Sequence, residues 1–253
     1  MSKVAIITGV RRIGFYIAQF LIGQGYNLAV LYKDSSDRVG DLQTYAERLR
    51  KKILPFKVDL SNPETYRWIP KAVFDTFGRI DLLLNIASPF GKKSLEETTE
   101  GVLRFYLSTI VEAVFILSKE SAKYMFLNGI IPKGRIINFG DWATVVGNPY
   151  KSFVPYLIAK GGLDTLTKVL AVELAPDILV NEIALGPVLP PMLENREKTD
   201  HWLDYISTKT LLKRPVAIED ILSAVDFLLK AKTLTGEVII LDSGQRFVGK
   251  GYT

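Results

Sequence analysis

The chain has 253 residues, of which 48% are hydrophobic and 23% charged, proportions typical of a globular protein with a sizeable core. It contains no cysteine and a single histidine, His201, which excludes disulfides and thiolate metal sites and argues against polyhistidine metal sites and serine–histidine catalysis. Its net charge of +5 comes from lysines and arginines scattered along the chain, whereas a nucleic-acid-binding surface needs them clustered on one face.

Short apolar runs alternate with longer segments of helical period along the chain. The predicted strands, in chain order, cover residues 4–7, 27–32, 53–58, 81–85, 135–139, 178–184 and 237–241. The predicted helices cover residues 13–24, the segment from the second strand to residue 51, a segment that starts at 61–64, and residues 97–126, 156–175 and 218–230.

This alternation determines the expected fold class. The first strands are continuous runs of Val, Ile and Leu, as expected of strands that helices cover on both faces. The pattern therefore predicts an α/β fold with a doubly wound parallel sheet. The length allows one large domain or two small ones, but no linker or repeat interrupts residues 1–253, so we expect a single domain. The least regular stretch, residues 187–214, is expected to form a variable loop over a ligand site.

The sequence also predicts where the protein acts and what it binds. The first strand-like run begins within three residues of Met1, so we expect no signal peptide. No apolar run reaches the length that a membrane-spanning helix needs, so we expect no membrane partner. These features predict a cytoplasmic protein whose partner is a small molecule, without nucleic acid and without a metal.

The stretch TGVRRIG, residues 8–14, joins the first strand to the first helix. Gly9 permits a tight turn and Gly14 lets the helix pack closely on the strand, as in dinucleotide-binding folds. Arg11 and Arg12 lie where the helix dipole is already positive, a placement that costs up to about 1 kcal/mol. A phosphate at the helix start would remove that cost and accept hydrogen bonds from both guanidinium groups. The alternative is two solvated arginines on an exposed turn.

The end of the second strand indicates which dinucleotide would bind. Enzymes that prefer NAD tend to carry Asp or Glu there, which binds the ribose hydroxyls. Here Tyr32 occupies that place, and the charge of Lys33 suits a 2′-phosphate, so we expect NADP(H). NAD(H) is the less favoured alternative, because Asp34 follows directly.

Tyr156 and Lys160 stand four residues apart at the start of a predicted helix, and therefore on one face of it. A phenol has a pKa near 10, and a neighbouring ammonium favours the phenolate and so lowers that pKa. Tyr156 is therefore a candidate general acid, with Lys160 as the group that tunes it. Such spacing alone is common on amphipathic helices, but here it follows the fifth strand of a predicted dinucleotide fold.

With these segments in order, the chain resembles the short-chain dehydrogenase/reductase family over essentially its full length. The matching segments are 8–14, 58–60, 85–87, 156–160, 180–181 with 186–187, and 234–236 with 242–244. The resemblance implies a Rossmann-type domain of about seven parallel strands, hydride transfer from a nicotinamide, and a homo-oligomer, a tetramer or a dimer. It implies that Tyr156 delivers the proton and that Lys160 holds the nicotinamide ribose. Together with the residues above, the predicted cofactor site comprises Gly9, Arg11, Arg12, Ile13, Gly14, Tyr32, Lys33, Asp59, Leu60, Asn85, Ala87, Tyr156, Lys160, Gly186 and Val188.

Three residues depart from the family's usual pattern. Asp141 replaces its serine, Ile110 its asparagine in the long helix, and Leu185 its proline before Gly186. Pteridine reductases and dihydromonapterin reductases also carry an aspartate at this position, an arginine-bearing turn, and an aromatic residue after the fourth strand, here Phe90. The chain is therefore most similar to that branch. In the family, that asparagine helps to hold a water that passes protons to the lysine, which an isoleucine side chain cannot do. Either a main-chain carbonyl holds this water alone, or the alignment is off by one residue, or turnover is slow.

Asp141 changes the chemistry expected of the pocket. An ionised carboxylate only accepts hydrogen bonds, whereas a serine hydroxyl also donates them. Asp141 therefore suits a substrate with N–H donors, such as an aminopyrimidine ring, or serves as a donor when an apolar site keeps it protonated. The alternative is that it only caps a turn. Phe90 is expected to stack on a flat ring or to belong to the core, and Ser88 and Trp142 complete the predicted substrate site.

The leading hypothesis is an NADPH-dependent reductase that transfers hydride to an activated C=N or C=O carbon, with Tyr156, Lys160 and Asp141 as catalytic residues and a pteridine-like substrate. The alternative within the same enzyme class is a 3-oxoacyl or other carbonyl reductase. The alternative of another class is a non-catalytic NADP-binding sensor or scaffold, which the changes at Asp141 and Ile110 motivate.

Overall fold

A computed structural model of the chain describes residues 2–189 and 196–248. The strands in this part are β1 (Val4–Thr8), β2 (Asn27–Tyr32), β3 (Ile53–Lys57), β4 (Leu82–Asn85), β5 (Gly134–Asp141), β6 (Ile178–Leu185) and β7 (Val238–Leu241). Its α-helices are α1 (Ile13–Gly23), α2 (Ser36–Arg48), α3 (Ile69–Phe77), α4 (Glu100–Leu107), α5 (Ala113–Met125), α6 (Trp142–Val145), α7 (Val154–Leu174), α8 (Arg196–Lys209) and α9 (Ile218–Lys230).

The seven strands form one parallel sheet in the order β3-β2-β1-β4-β5-β6-β7. The order reverses between β1 and β4, where Thr8 pairs with Asn85 at the carboxyl ends of both strands. Ligands of doubly wound sheets bind in the crevice outside such a reversal. The predicted α/β class, the parallel sheet and the seven strands are confirmed.

Helices cover both faces of the sheet, which explains why its central strands are uniformly apolar. One core cluster packs α1, α2 and α9 against the sheet, with Leu21, Leu42 and Val225 buried in it. The other packs α3, α5 and α7, with Val73 and Leu117 buried. Each crossover helix therefore buries one apolar face, and the loops at the carboxyl ends of the strands remain available to form a site.

Two stretches differ from the prediction. The region 187–214 was expected to be irregular, but its described part contains the helix α8. Few apolar side chains of this helix are buried, Ile206 among them, so the sequence carries only a weak helical period. The single helix predicted over 97–126 consists of α4 and α5, joined by a π-helical turn at Ser108–Glu112. Such turns insert a residue into a helix and are frequent at functional sites.

The helical stretch Glu100–Met125 is long and apolar enough, by length and composition, to cross a membrane. The prediction that no apolar run reaches this length is therefore wrong for this segment. Buried core helices satisfy the same criterion. In the fold this stretch contacts α3, α7 and β4, and Ile110 and Leu117 on it are buried.

Candidate active site

A cleft of about 1520 Å³ opens at the carboxyl ends of the central strands. Most of the predicted site residues line it: Gly9, Arg11, Arg12, Ile13, Gly14, Ala87, Ser88, Phe90, Asp141, Trp142, Tyr156, Lys160, Gly186 and Val188. The predicted residues outside its lining are Tyr32, Lys33, Asp59, Leu60 and Asn85. The topology thus places the turn after β1 and the tyrosine–lysine pair of α7 in one cavity, although they are about 150 residues apart in sequence.

The turn after β1 is built so that the backbone approaches its neighbours closely. Gly9 has a φ of +76°, and a Cβ there would lie 3.0 Å from the Cα of Ala87. A Cβ at Gly14 would lie 1.9 Å from the carbonyl oxygen of Gly9. The hydroxyl of Thr8 accepts hydrogen bonds from the amides of Ile86 (3.0 Å) and Ala87 (3.2 Å) and so fixes the loop after β4 beside this turn.

The two arginines of the turn differ in their surroundings. The helix α1 begins at Ile13, as predicted, with Arg12 at its N-cap. Arginine carries donors only, so its side chain cannot accept from the first helical amides. Its Nη2 donates instead to the carbonyl of Leu189, at 2.7 Å, which connects the turn to the segment after β6. Burial and the charge of Arg11 lower the pKa of the Arg12 guanidinium, as expected of two cations at a positive helix end.

Residues predicted for the adenosine end of a dinucleotide lie at the ends of β2 and β3. The ammonium of Lys33 contacts Oδ2 of Asp59 at 2.8 Å, and the amide and hydroxyl of Ser61 donate to Oδ1 at 2.9 and 2.7 Å. The bond from Lys33, followed by those from Ser61, lowers the pKa of Asp59 to about 2. Tyr32 and Leu60 flank this pair on the same edge of the sheet, partly buried.

Asn85 lies beneath the cleft rather than in its wall. Its amide donates to Oδ1 of Asn138 at 2.9 Å, and Asn138 donates in turn to the hydroxyl of Thr167, also at 2.9 Å. Asn85 and Asn138 are buried and directly paired in the sheet. This chain of hydrogen bonds holds β4, β5 and α7 together under the site.

Tyr156 and Lys160 lie on the first turns of α7, and both side chains are buried. The ammonium of Lys160 is 5.7 Å from the centre of the Tyr156 ring and donates to the carbonyl of Phe139 at 2.5 Å. The predicted pairing on one helix face is therefore present. The carbonyl at the end of β5 fixes the position of the ammonium.

Asp141 is the last residue of β5, and its two carboxylate oxygens have different partners. Oδ1 accepts from the amide of Ala143 at 2.9 Å and caps the short helix α6. Oδ2 accepts from two phenols, Tyr150 at 2.7 Å and Tyr156 at 3.0 Å. Asp141 thus caps a turn and also contacts the candidate general acid. Tyr150 was not among the predicted site residues, because the only signal for it in the sequence is an aromatic residue in the stretch that separates Asp141 from Tyr156.

The electrostatics of this group differ from the prediction in one respect. The pKa of Tyr156 is raised well above its ordinary value, first by burial and then by the charge of Asp141. Lys160 was expected to lower that pKa. The direct hydrogen bond to a carboxylate and the loss of water outweigh an ammonium 5.7 Å from the ring. Burial also raises the pKa of Asp141 and lowers that of Lys160.

Aromatic side chains form the outer wall of the cleft. Phe90 is 64% exposed, so it is not a core residue, and it stacks on Phe153 with ring centres 4.9 Å apart. Its ring also meets the ring of Tyr156 edge to face, with ring centres 5.1 Å apart. Trp142 lines the cleft and is largely buried, and Ser88 donates to the neighbouring carbonyl of Pro89 at 3.2 Å.

The segment after β6 and the π-helical turn complete the surroundings. A Cβ at Gly186 would lie 2.8 Å from the Cα of Asp242, so glycine is required for β6 and β7 to approach. Val188 follows as a buried wall of the cleft. Ile110 lies in the π-helical turn and packs in one apolar cluster with Tyr156. The position predicted to correspond to the family's asparagine is therefore filled by hydrocarbon.

Comparisons with known proteins identify relatives that match nearly the whole chain. A family model described as enoyl-(acyl carrier protein) reductase matches residues 9–246. The 3-oxoacyl-[acyl-carrier-protein] reductase FabG of Buchnera aphidicola subsp. Baizongia pistaciae is 30% identical over 247 residues, which are 96% of this chain and 97% of that protein. The enzyme of the same name from Staphylococcus aureus is 30% identical over 255 residues, with 96% and 98% covered.

Solved structures of similar fold cover nearly the whole chain. FolM alternative dihydrofolate reductase 1 from Brucella canis, complexed with NADP, has a TM-score of 0.85 at 25% identity, with 99% of this chain and 96% of that one covered. Acetoin dehydrogenase from Enterobacter cloacae has a TM-score of 0.85 at 26% identity, with both chains fully covered. A cleft at the strand reversal, a tyrosine–lysine pair on α7 and a family match over 9–246 lead to one conclusion. The chain belongs to the short-chain dehydrogenase/reductase family of oxidoreductases.

Proposed function

We propose that the chain is an NADPH-dependent reductase that acts on a flat, nitrogen-containing ring of the pteridine type. Two neighbours of similar fold, from Brucella canis and Burkholderia cenocepacia, are complexes with NADP. The turn after β1 fits a pyrophosphate, because Gly9 and Gly14 keep the backbone free of Cβ atoms and Arg11 and Arg12 supply charge. Lys33 suits a 2′-phosphate, and Gly186 and Val188 suit the nicotinamide end.

Bound NADPH would supply the hydride. In this proposal Tyr156 gives its proton to the substrate atom next to the carbon that is reduced, and Lys160 holds the nicotinamide ribose and balances the charge that develops. The raised pKa of Tyr156 keeps its proton in place until the substrate accepts it. Asp141 orients the phenol through Oδ2 and presents a carboxylate to substrate N–H groups.

The observation that carries the substrate class is the carboxylate of Asp141, which accepts hydrogen bonds from Ala143, Tyr150 and Tyr156. These three donors favour its ionised form and act against the burial that raises its pKa. A carbonyl substrate needs a donor at this position, and an ionised carboxylate offers none. An aminopyrimidine ring offers N–H donors and a flat face, which the exposed ring of Phe90 matches. A solved structure of similar fold is named alternative dihydrofolate reductase, which supports the same class.

The test is NADPH oxidation with dihydropterins, 3-oxoacyl thioesters and simple ketones, run on the wild-type protein and two variants. Asp141→Ser restores the family's donor, and Tyr156→Phe is the matched control without the acid. We expect dihydropterin turnover in the wild type, its loss in Tyr156→Phe, and a shift toward carbonyl substrates in Asp141→Ser. Preferential turnover of 3-oxoacyl thioesters by the wild type would overturn the pteridine assignment.

A second candidate, 3-oxoacyl reductase, is favoured by the two FabG proteins at 30% identity. The same assays separate it from the first. A non-catalytic NADP-binding protein is the third outcome, shown by NADPH binding without turnover above the Tyr156→Phe control. We further propose a homo-oligomer, testable by light scattering, and a substrate-covering role for the segment 187–214.

A further inference from the structure

A second group of ionisable side chains lies beneath the cleft, between α7 and β6. Asp164 follows Lys160 by one helical turn, and Glu182 lies in the middle of β6. Asp164 is 8% exposed and Glu182 is 0% exposed, and neither lines the cleft. Carboxyl groups are rarely buried to this extent unless a partner compensates for the lost water.

The carboxyl groups of Asp164 on α7 and Glu182 on β6 are neighbours where these two elements pack together. Oε2 of Glu182 also accepts from the hydroxyl of Thr167 at 2.8 Å. Oδ1 of Asp164 and Oε1 of Glu182 are buried, and no donor from the described residues reaches them. Two ionised carboxylates would leave these oxygens without a donor, whereas one proton held between the two groups would supply it. Burial and the neighbouring Asp164 raise the pKa of Glu182, in agreement with a shared proton.

The sheet makes room for this pair. Gly140 on β5 lies beside Glu182, and a Cβ on that glycine would lie 1.7 Å from Oε1 of Glu182. Any larger residue at position 140 would displace the carboxyl group from its site. The glycine on one strand and the glutamate on the next therefore fit each other, and the buried charge has a defined position in the core.

Lys160 is the cation that faces this pair. Burial lowers its pKa, and the charges of Glu182, Asp141 and Asp164, in that order of size, act against the lowering. Tyr156 also packs against Lys160, with its ring centre 5.7 Å from the ammonium. Ile110, in the π-helical turn, contributes no polar group on its side.

We propose that Asp164 and Glu182 share one proton and, with the single negative charge that remains, keep Lys160 charged and in position beside Tyr156. Both are positioning residues, because they act through Lys160 and lie outside the cleft. The proposal rests on the role given above to Lys160, but the charge state of that lysine can be measured without any substrate.

Three variants test the pair: Glu182→Gln, Asp164→Asn and the double variant. Each single variant retains one carboxylate and a hydrogen-bonded partner, so the negative charge next to Lys160 is unchanged. Only the double variant removes it. The pKa of Lys160 is measured by NMR on protein labelled at lysine Cε, with Lys160→Met used only to assign the signal. We expect the single variants to match the wild type and the double variant to lower that pKa by about one unit or more.

A second readout applies even if the double variant does not fold. Infrared spectra of the wild type at neutral pH should show a protonated carboxyl band that both single variants lose and Asp141→Asn retains. An unchanged Lys160 pKa in a folded double variant, or a wild type without this band, overturns the proposal. Equal Lys160 shifts in single and double variants also overturn it, because they indicate packing rather than charge.

The failure of the proposed function is distinguishable from the failure of this inference. A lowered Lys160 pKa in the double variant without turnover of any substrate leaves the pair established and rejects the reductase. Turnover in the wild type together with an unchanged Lys160 pKa in the double variant supports the reductase and rejects the role of the carboxyl pair. Where turnover occurs, the basic limb of the kcat/KM–pH profile should move to lower pH in the double variant alone.

Discussion

Tyr150→Phe removes one hydroxyl from the candidate site and leaves the ring. That hydroxyl donates to Oδ2 of Asp141 at 2.7 Å, the shorter of the two phenol contacts with this oxygen. The ring packs edge-on against Phe153, with centres 4.9 Å apart, and a phenylalanine ring can keep this contact. The substitution therefore removes the hydrogen bond to the carboxylate, together with the neighbouring interaction of the two phenols, and keeps the ring packing.

The size of the effect follows from that bond. A hydrogen bond to a charged group contributes about 1.5–3 kcal/mol. Asp141 keeps its bonds from Ala143 and Tyr156, so we expect the lower end, a loss of about 1.5 kcal/mol in the free energy of unfolding. If the same loss is expressed in the transition state, kcat/KM falls about tenfold. The pKa of Asp141, already raised by burial, rises further because Tyr150 bonds to the ionised form.

Urea unfolding followed by circular dichroism measures the stability change, and the kcat/KM–pH profile measures the change at Asp141. Tyr16→Phe is the matched control, because this tyrosine is 41% exposed on α1 and its loss should change stability by less than about 0.5 kcal/mol. If Tyr150→Phe unfolds like the control and its pH profile equals that of the wild type, Tyr150 does not donate to Asp141 and the arrangement described here is wrong.

Three further substitutions, two of them paired with a control substitution, test the cofactor end. Gly14→Ala places a methyl 1.9 Å from a backbone oxygen, so we expect a loss of about 1–3 kcal/mol in stability together with weaker NADPH binding by fluorescence titration. Gly23→Ala on the same helix, whose nearest contact is 3.8 Å away, should not weaken binding. Thr8→Val leaves two backbone amides without their acceptor and should cost about 1–3 kcal/mol for each amide that remains buried, whereas Thr8→Ser should not. Lys33→Met should reduce the preference for NADPH over NADH in kcat/KM, with a stability change below about 1 kcal/mol, because its ion pair with Asp59 is exposed. It should also raise the pKa of Asp59, measured by NMR, from about 2 toward the ordinary value.

The stability effect of that last shift has a defined sign. The pKa of Asp59 is lowered in the folded state, so its ionised form contributes stability above the ordinary pKa of an aspartate. That contribution is lost as the pH falls toward 2, and Lys33→Met should flatten this part of the stability profile. An unchanged acid limb, or an unchanged nucleotide preference, would remove Lys33 from the predicted site. If Gly14→Ala binds NADPH as strongly as the wild type does, the turn after β1 is not part of the cofactor site.

Local patterns in the sequence predicted most of the fold. The strand boundaries at residues 27–32 and the start of α1 at Ile13 are correct because apolar runs and glycine positions carry that information within a few residues. The helix α8 was missed because its sequence is mostly polar. The stretch 100–125 was predicted as part of one helix, but its apolar character was underestimated because charged residues such as Arg104 and Glu112 interrupt the apolar run.

The candidate site also contains residues that the sequence predicted and residues that it did not. Spacing alone placed Tyr156 and Lys160 on one face of a helix, and the resemblance to the family placed Asp141 near them. Tyr150 was not predicted, because its contact with Asp141 depends on how the chain folds back between α6 and α7. Nor was the carboxyl group of Glu182 expected next to Lys160. The two residues lie on different elements, β6 and α7, which come into contact when the chain folds.

By itself, then, the amino-acid sequence determined the parallel sheet, the glycine-bearing turn after β1 and the residue types available for chemistry, because periodicity, glycine and helical spacing act over short distances. The tertiary structure alone decided the charge balance of those residues. The pKa of Tyr156 is raised rather than lowered because burial removes water and the fold places the carboxylate of Asp141 in hydrogen-bonding contact with the phenol. Electrostatic energies depend on distance and on access to solvent, and the chain acquires both only when it folds.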